Sequence, residues 1–343
     1  MKKVFILLLF VSALVACSKV EVTSLVQDNK TMITYQTAPI TKGHDKFDNT
    51  YVFQSAAYYL SSADVADGGW ATKASSGKEY IAANTVKYID NTWRMENHYY
   101  WPKDDGKLTF YSWSLNKANL DFVNSDPTVT IDKENGVVLK NYDISVQKNI
   151  DFIVAVPAKD QTSNLHLYYT DGVPTLFKHQ LSYLLITAKT DKDYSESVTF
   201  TIKSIKVINV AKTGEYQETQ VNTGNWDIIN KWTTESTYDA DYRTTDLIVT
   251  DNLETVIEDD TQTNYIPQEF TGKEYIVVKY EIYNKDSKIT EKVTSEIPLI
   301  TNISNDEFRN GYKYTINLIF ALKEIFWDPA VEDWTVEGKD VPV

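Results

Sequence analysis

The chain has 343 residues, 48 acidic against 34 basic side chains, a formal net charge of −14 and a single cysteine. That length accommodates two hydrophobic cores at about 100–200 residues per domain, and one cysteine excludes any internal disulfide. An acidic surface repels phosphate, so nucleic acid is excluded as a partner.

Lys2 and Lys3 precede an apolar run from Val4 to Val15, interrupted only by Ser12. The run is too short for a bilayer-spanning helix, which needs roughly 20 apolar residues. A charged start, a short apolar stretch and small residues before a cut describe a secretory signal peptide over 1–16. Leu14-Val15-Ala16-Cys17 resembles a bacterial lipobox, which implies lipid on Cys17 and a chain anchored at the cell outer membrane. The plainer reading is an ordinary signal peptide followed by an unrelated cysteine. Removing Lys2 and Lys3 with the signal leaves a net charge of −16.

Tyr (23 residues), Thr, Val and Ile are abundant while Gly (12) and Pro (9) are modest. Without long helical periods, this composition predicts an all-β protein. Residues 17–30 read as a polar tether. Thr31-Met32-Ile33-Thr34-Tyr35 reads as the first strand, and the charged stretch Ala38–Asn49, with Pro39 and Gly43, as an exposed loop. Thr50–Leu60 is β-like, Asp67-Gly68-Gly69 makes a turn before Trp70, and Tyr80–Tyr88 and Asn91–Trp101 follow as strand candidates. Leu108–Trp113 is bulky on both faces, which predicts a strand buried on two sides. Val137–Ile144 and Asp151–Val156 are further strands, and Val173–Lys189 ends in a β-like run.

The polar break Asp191–Ser197 sets the expected domain boundary: an N-terminal β-sandwich over 31–190 and a C-terminal one over 191–343. Val198–Val210 changes parity between Phe200/Ile202 and Ile205/Val207, which predicts a bulge at Lys203-Ser204. Asn222–Asp246 is polar around Trp226 and Trp232 and reads as a long loop or a short helix. Tyr275–Tyr283 alternates well. Tyr312, Tyr314, Ile316, Leu318 and Phe320 alternate still more regularly, which predicts a central strand, with Trp334 sealing the core.

No catalytic signature emerges. The chain has neither a phosphate-cradling GxxxxGK[ST] nor a GxSxG elbow. His44, His98, His166 and His179 stand apart from any second His or Cys at metal-ligand spacing. His179, between Phe177 and Leu181, reads as a core-edge histidine satisfied by backbone. Asp191, Asp193 and Ser195 imitate the start of a calcium loop, but Glu196 and Ile202 stand where that loop needs Gly and Glu. No metal and no cofactor is expected, and the chain is not expected to be an enzyme. The eight tryptophans read as core packing; Trp226 and Trp232, in polar surroundings, are the candidates for stacking on a glycan.

Several stretches then form an ordered set. Ile33-Thr34-Tyr35 and Ile40-Thr41-Lys42 follow the lipobox. Tyr99-Tyr100-Trp101-Pro102, Leu108-Thr109-Phe110-Tyr111, Asp151-Phe152-Ile153-Val154-Ala155 and Leu176-Phe177-Lys178-His179-Gln180-Leu181-Ser182 come next. Tyr265-Ile266-Pro267-Gln268, Gly311-Tyr312-Lys313-Tyr314-Thr315 and Val331-Glu332-Asp333-Trp334 complete it. The set resembles the fimbrillin-like (Mfa-like) lipoproteins of anaerobic Gram-negative bacteria.

The resemblance implies two tandem β-sandwiches of transthyretin-like topology and a structural or adhesive pilus subunit: major, tip, anchor or accessory. It also implies cleavage after the first strand, departure of that strand, and its replacement by a strand from another subunit. On this chain the exchanged strand would be Thr31–Tyr35 and the processing loop would hold Lys42, Gly43 and Lys46. Many members carry Arg where this chain has Lys42. A protease accepting lysine, a different protease, or retention of the uncut chain as an anchor all remain open. The expected partners are other pilus subunits by strand addition, outer-membrane lipid through Cys17, and host or bacterial surface glycans or proteins. A glycan-binding surface lipoprotein that does not polymerise is the alternative reading.

Overall fold

The computed structural model describes residues 26–27, 30–37, 49–116, 128–147, 150–163, 172–222, 226–258, 261–322 and 325–333. Strands make up most of the described residues and the helices are few and short, which settles the all-β class.

The chain opens with β1 (Val26–Gln27), β2 (Lys30–Thr31) and β3 (Tyr35–Thr37). β4 (Phe53–Leu60) leads into two short helices, α1 (Ser62–Ala66) and α2 (Trp70–Lys73), joined by the expected Asp67-Gly68-Gly69 turn. Then come β5 (Lys78–Ile89), β6 (Thr92–Met95), β7 (Lys107–Asn116), β8 (Thr128–Asp132) and β9 (Gly136–Asp143). β10 (Asp151–Ala155), β11 (Ala158–Gln161), β12 (Val173–Thr175), β13 (Phe177–His179) and β14 (Ser182–Thr190) follow. Two long strands, β15 (Val198–Asn222) and β16 (Trp226–Arg243), precede the short β17 (Leu247–Val249), β18 (Glu254–Thr255), β19 (Asn264–Tyr265) and β20 (Gln268–Glu269). The chain ends with β21 (Tyr275–Asn284), β22 (Thr290–Pro298), β23 (Glu307–Phe308), β24 (Tyr312–Phe320) and β25 (Ile325–Asp333).

The first large sheet runs β12-β3-β6-β5-β4-β7-β10-β13, with β11 also on β7. Its two terminal strands, β12 and β13, are separated in the chain by Leu176 alone. The sheet therefore bends round until its ends meet. The period-two rule sorts its side chains onto two faces. Phe53, Phe110, Ile153 and Phe177 point to the enclosed side, while Tyr58, Tyr111, Trp113 and Phe152 belong to the outer side. β7 is buried on both faces, as its bulky sequence predicts.

The outer face packs against a second sheet of order β22-β21-β15-β9-β8, with β16 and β17 on β15. A third sheet, β18-β14-β24-β25 with β19 on β14, covers the rest of the second. β24 is internal, and Tyr314, Ile316, Leu318 and Phe320 are all buried. The ladder between β15 and β21 slips between Ile202 and Ser204, so the parity change does mark a bulge. One continuous apolar cluster reaches from Ala56 in β4 to Phe320 in β24.

Two expectations need correction, and two strand pairings cross residue 191. β14 lies before residue 191, yet it pairs in parallel with β24 over Tyr183–Thr190 against Lys313–Phe320, and β9 pairs with β15. The polar stretch 191–197 is a mostly exposed turn leading from β14 into β15. The stretch around Trp226 and Trp232 is a strand, paired with β15 from Asn222–Trp226 down to Ile205–Arg243. His179 does not rest on backbone: its Nδ1 meets the Asp151 carboxylate, and both side chains are buried.

At the root of the ribbon, Glu218 of β15 is 2% exposed and its Oε2 accepts the Val137 N–H at 2.9 Å. Burial pushes its carboxyl up to about 7, against the opposing pull of that N–H and of Lys159. The folded chain thus holds a proton that the unfolded chain, with an ordinary carboxyl near 4.5, gives up. This group's contribution to stability falls as pH rises from the unfolded value through the folded one. Glu218→Gln is expected to raise the melting temperature at pH 8 and leave it nearly unchanged at pH 4.5, as measured by thermal unfolding across that range.

Candidate functional site

The site is the seat of the opening segment, residues 30–37. Ile33 and Tyr35 alternate inward and are 3% and 2% exposed. The Tyr35 ring meets Phe53 edge-on at 5.5 Å and Phe110 at 5.9 Å between centroids. Each such ring pair contributes about 0.5–1.5 kcal/mol beyond area burial.

Two walls hold the backbone. On one side β3 runs parallel to β12, with Val173 opposite Tyr35 and Thr175 opposite Thr37, and the Val173 N–H donates to the Thr34 carbonyl at 2.7 Å. Because alternate residues of a parallel strand bond to a given neighbour, Pro174 turns its missing N–H away from β3. On the other side Tyr35 pairs antiparallel with Trp93 of β6. Upstream, a strap of residues 98–101 takes over: Ile33 N–H donates to the Tyr99 carbonyl at 2.8 Å, and Trp101 N–H to the Thr31 carbonyl at 3.0 Å.

Gly172 decides how closely the walls approach. Its φ is +122°, and a Cβ there would stand 2.5 Å from the Thr34 carbonyl. Only glycine adopts that backbone at such a distance. Removing the segment would leave a slot between β6 and β12 with Phe53 and Phe110 at its floor. The arrangement offers backbone donors and acceptors and an apolar interior, which suits another extended chain.

Among the described residues no group of three or more His, Cys, Asp or Glu could hold a metal ion, and no helix is long and apolar enough to cross a membrane. Of the residues singled out in the sequence, Thr31, Met32, Ile33, Thr34 and Tyr35 are seated as above. Cys17, Lys42, Gly43, Lys46 and Trp334 lie outside the described residues. Trp226 and Trp232 have their backbone in β16, and their side chains are not among those described. Sequence reasoning missed Gly172 and the partner role of the strap. The Gly172-Val173-Pro174 run was the available signal, since it pairs a residue free of Cβ with one that ends a ladder.

The family model described as "Fimbrillin-like" matches residues 61–334. Among solved structures, a fimbrial protein from Bacteroides vulgatus superposes with a TM-score of 0.67 at 18% identity, covering 90% of this chain and 100% of that one. A protein assigned to cell adhesion from Bacteroides uniformis superposes with a TM-score of 0.50 at 15% identity, again over 90% and 100%. At such identities the likeness concerns the fold. A comparison with curated proteins finds no match.

Two substitutions test the seat. Tyr35→Ala, which empties a buried aromatic position, is expected to cost about 3–5 kcal/mol, measured by denaturant unfolding. Gly172→Ala should speed amide exchange at residues 31–37 while β24 keeps its protection. Unchanged exchange would mean that the close approach at Thr34 does not hold the segment.

Proposed function

Because the chain belongs to the fimbrillin-like family, we propose that it is a structural and adhesive subunit of surface fimbriae whose opening segment is exchanged for a strand of a neighbouring subunit. The observation that carries this reading is the seat itself. Its residues Tyr35–Thr37 form a strand of the first sheet, Ile33 and Tyr35 are buried in the enclosed core, and the sequence joins it to the rest of the protein through the stretch that holds Lys42, Gly43 and Lys46. A cut in that stretch frees the segment covalently while its hydrogen bonds and ring contacts still hold it. A strand from another copy satisfies the same backbone groups, so the replacement is nearly isoenergetic in hydrogen bonds and is decided by side-chain fit.

The remaining parts of the proposal follow the same line. Lipid on Cys17 tethers the precursor at the cell outer membrane, since several acyl chains on one residue hold firmly at about 0.8 kcal/mol per buried CH₂. The protein acts as a structural subunit and not as an enzyme, with two tandem sandwiches of transthyretin-like topology. Their division falls at residues 190–191 in this proposal, with β14 and β9 pairing across it.

Trypsin supplies the first test. Limited digestion of the mature protein is expected to cut at Lys42 or Lys46 and leave a compact remainder of about 33 kDa, at about 110 Da per residue. A labelled peptide with the sequence of residues 30–37 should then bind the cut protein and not the intact one. Failure of the peptide to bind cut protein, even after mild denaturation and refolding, would remove strand exchange. Mapping the amino end of protein sheared from cells completes the test: a start near Gly43 marks a processed subunit and a lipidated Cys17 an anchored one. Absence of the protein from the sheared material and from the cell envelope would end the fimbrial reading.

A further inference from the structure

The strap has its own fastening. Antiparallel alternation sends the Tyr99 carbonyl and the Trp101 N–H toward the opening segment and turns the Tyr100 carbonyl the other way. There the Tyr80 hydroxyl of β5 donates to it at 2.7 Å. Asn84, also of β5, donates from Nδ2 to the Tyr99 hydroxyl at 3.4 Å. The Tyr80 ring leans on Tyr59 of β4 with centroids 6.3 Å apart, and the Tyr59 hydroxyl donates to Asp104 at 2.7 Å. Asp104 in turn accepts the Gly106 N–H at 3.2 Å, which fixes the following turn. The strap thus hangs between the opening segment on one edge and a tyrosine pair on the other. Thr31 is exposed and Met32 half-buried, in contrast to the enclosed Ile33 and Tyr35, so the upstream half of the segment is the end from which it peels.

We propose that residues 98–101 are a gate on the opening segment, and that the Tyr80 hydroxyl, by holding the Tyr100 carbonyl, sets how readily the gate lets the upstream end go. This rests on the strand-exchange reading above and adds to it the control of release. While the strap is pinned, Thr31 and Ile33 keep their partners and peeling cannot start. When it swings away, both bonds are lost together and only the downstream half, on β12 and β6, still holds.

Two measurements test the gate. Tyr80→Phe keeps the ring against Tyr59 and removes only the hydroxyl. Amide exchange at Ile33 and Trp101 is expected to accelerate about fivefold, the effect of one net hydrogen bond, while the Val173 amide, which donates to Thr34, is unchanged. Equal acceleration at all three, or none at Ile33 and Trp101, overturns the gate.

The second measurement uses the facing pair Met32 and Tyr100. The bonds on either side make it a narrow pair with Cα atoms about 4.5 Å apart, within disulfide reach. In a Cys17→Ser background, Met32→Cys with Tyr100→Cys should, when oxidised, block uptake of the labelled 30–37 peptide after the trypsin cut, and reduction should restore it. Uptake by the oxidised form overturns the gate. No uptake by the reduced form or by the unaltered cut protein removes strand exchange instead, and the Tyr80→Phe exchange data then still decide whether the strap holds the segment.

Discussion

A sheet that closes on itself needs one stretch of chain to belong to both of its ends, and residues 173–179 do so. Val173–Thr175 pairs with the opening segment, Phe177–His179 pairs with β10, and Leu176 alone separates them. Everything enclosed by that closure depends on it. The aromatic interior of Phe53, Trp93, Phe110 and Phe177 is dry only while the ends stay joined. The closing stretch is fixed on the β10 side by ordinary antiparallel bonds and by the buried Asp151–His179 contact. On the other side it meets the opening segment across three residue pairs. Each fastening spans three residue pairs, and the β10 side adds the buried contact of Asp151 with His179.

The same economy of strands joins the two halves of the molecule. β15 is too long for one sheet neighbour: its first part pairs with β21 and its later part with β9, while β16 follows nearly its full length. Phe152 of the closed sheet and Tyr216 of β15 meet edge-on at 5.1 Å, where the outer face of one sheet becomes the floor of the next. The apolar cluster that continues through this joint makes the halves mutually dependent. Glu218 sits at that joint as a buried carboxyl, so the joint responds to proton concentration.

What the sequence made legible is what local alternation encodes. The two-faced burial of β7, the regular inward face of β24 and the bulge beside Lys203 could each be read because side-chain parity is a property of neighbouring residues. The opening segment was legible as a strand, although its regular part begins at Tyr35, where that reading ended. What alternation does not encode is the identity of the partner. Nothing near His179 points to Asp151, which is 28 positions away. Nothing near Ser182 says that β14 pairs with a strand far downstream. The ribbon strand β16 escaped because its sequence lacks apolar alternation, with Thr233, Thr234, Ser236 and Thr237 exposed. Gly172 was visible as a glycine, but its reason lies in the Thr34 carbonyl opposite it, which only the folded chain brings near.

The parallel pairing of β14 with β24 has a consequence for how the molecule is assembled. Thr187 and Asn317, 130 positions apart, share a hydrogen bond across it. Contacts of such separation carry a large loop-closure cost and slow the search for the native state. A chain that emerges amino end first therefore presents Leu184, Ile186 and Ala188 without cover until almost its whole length is out. The first sheet closes on strands that all precede residue 180, whereas the late strands must be kept from sticking to their neighbours in the meantime. That interval between emergence and closure is when unwanted association is easiest, and the acidic surface is a standing defence against it.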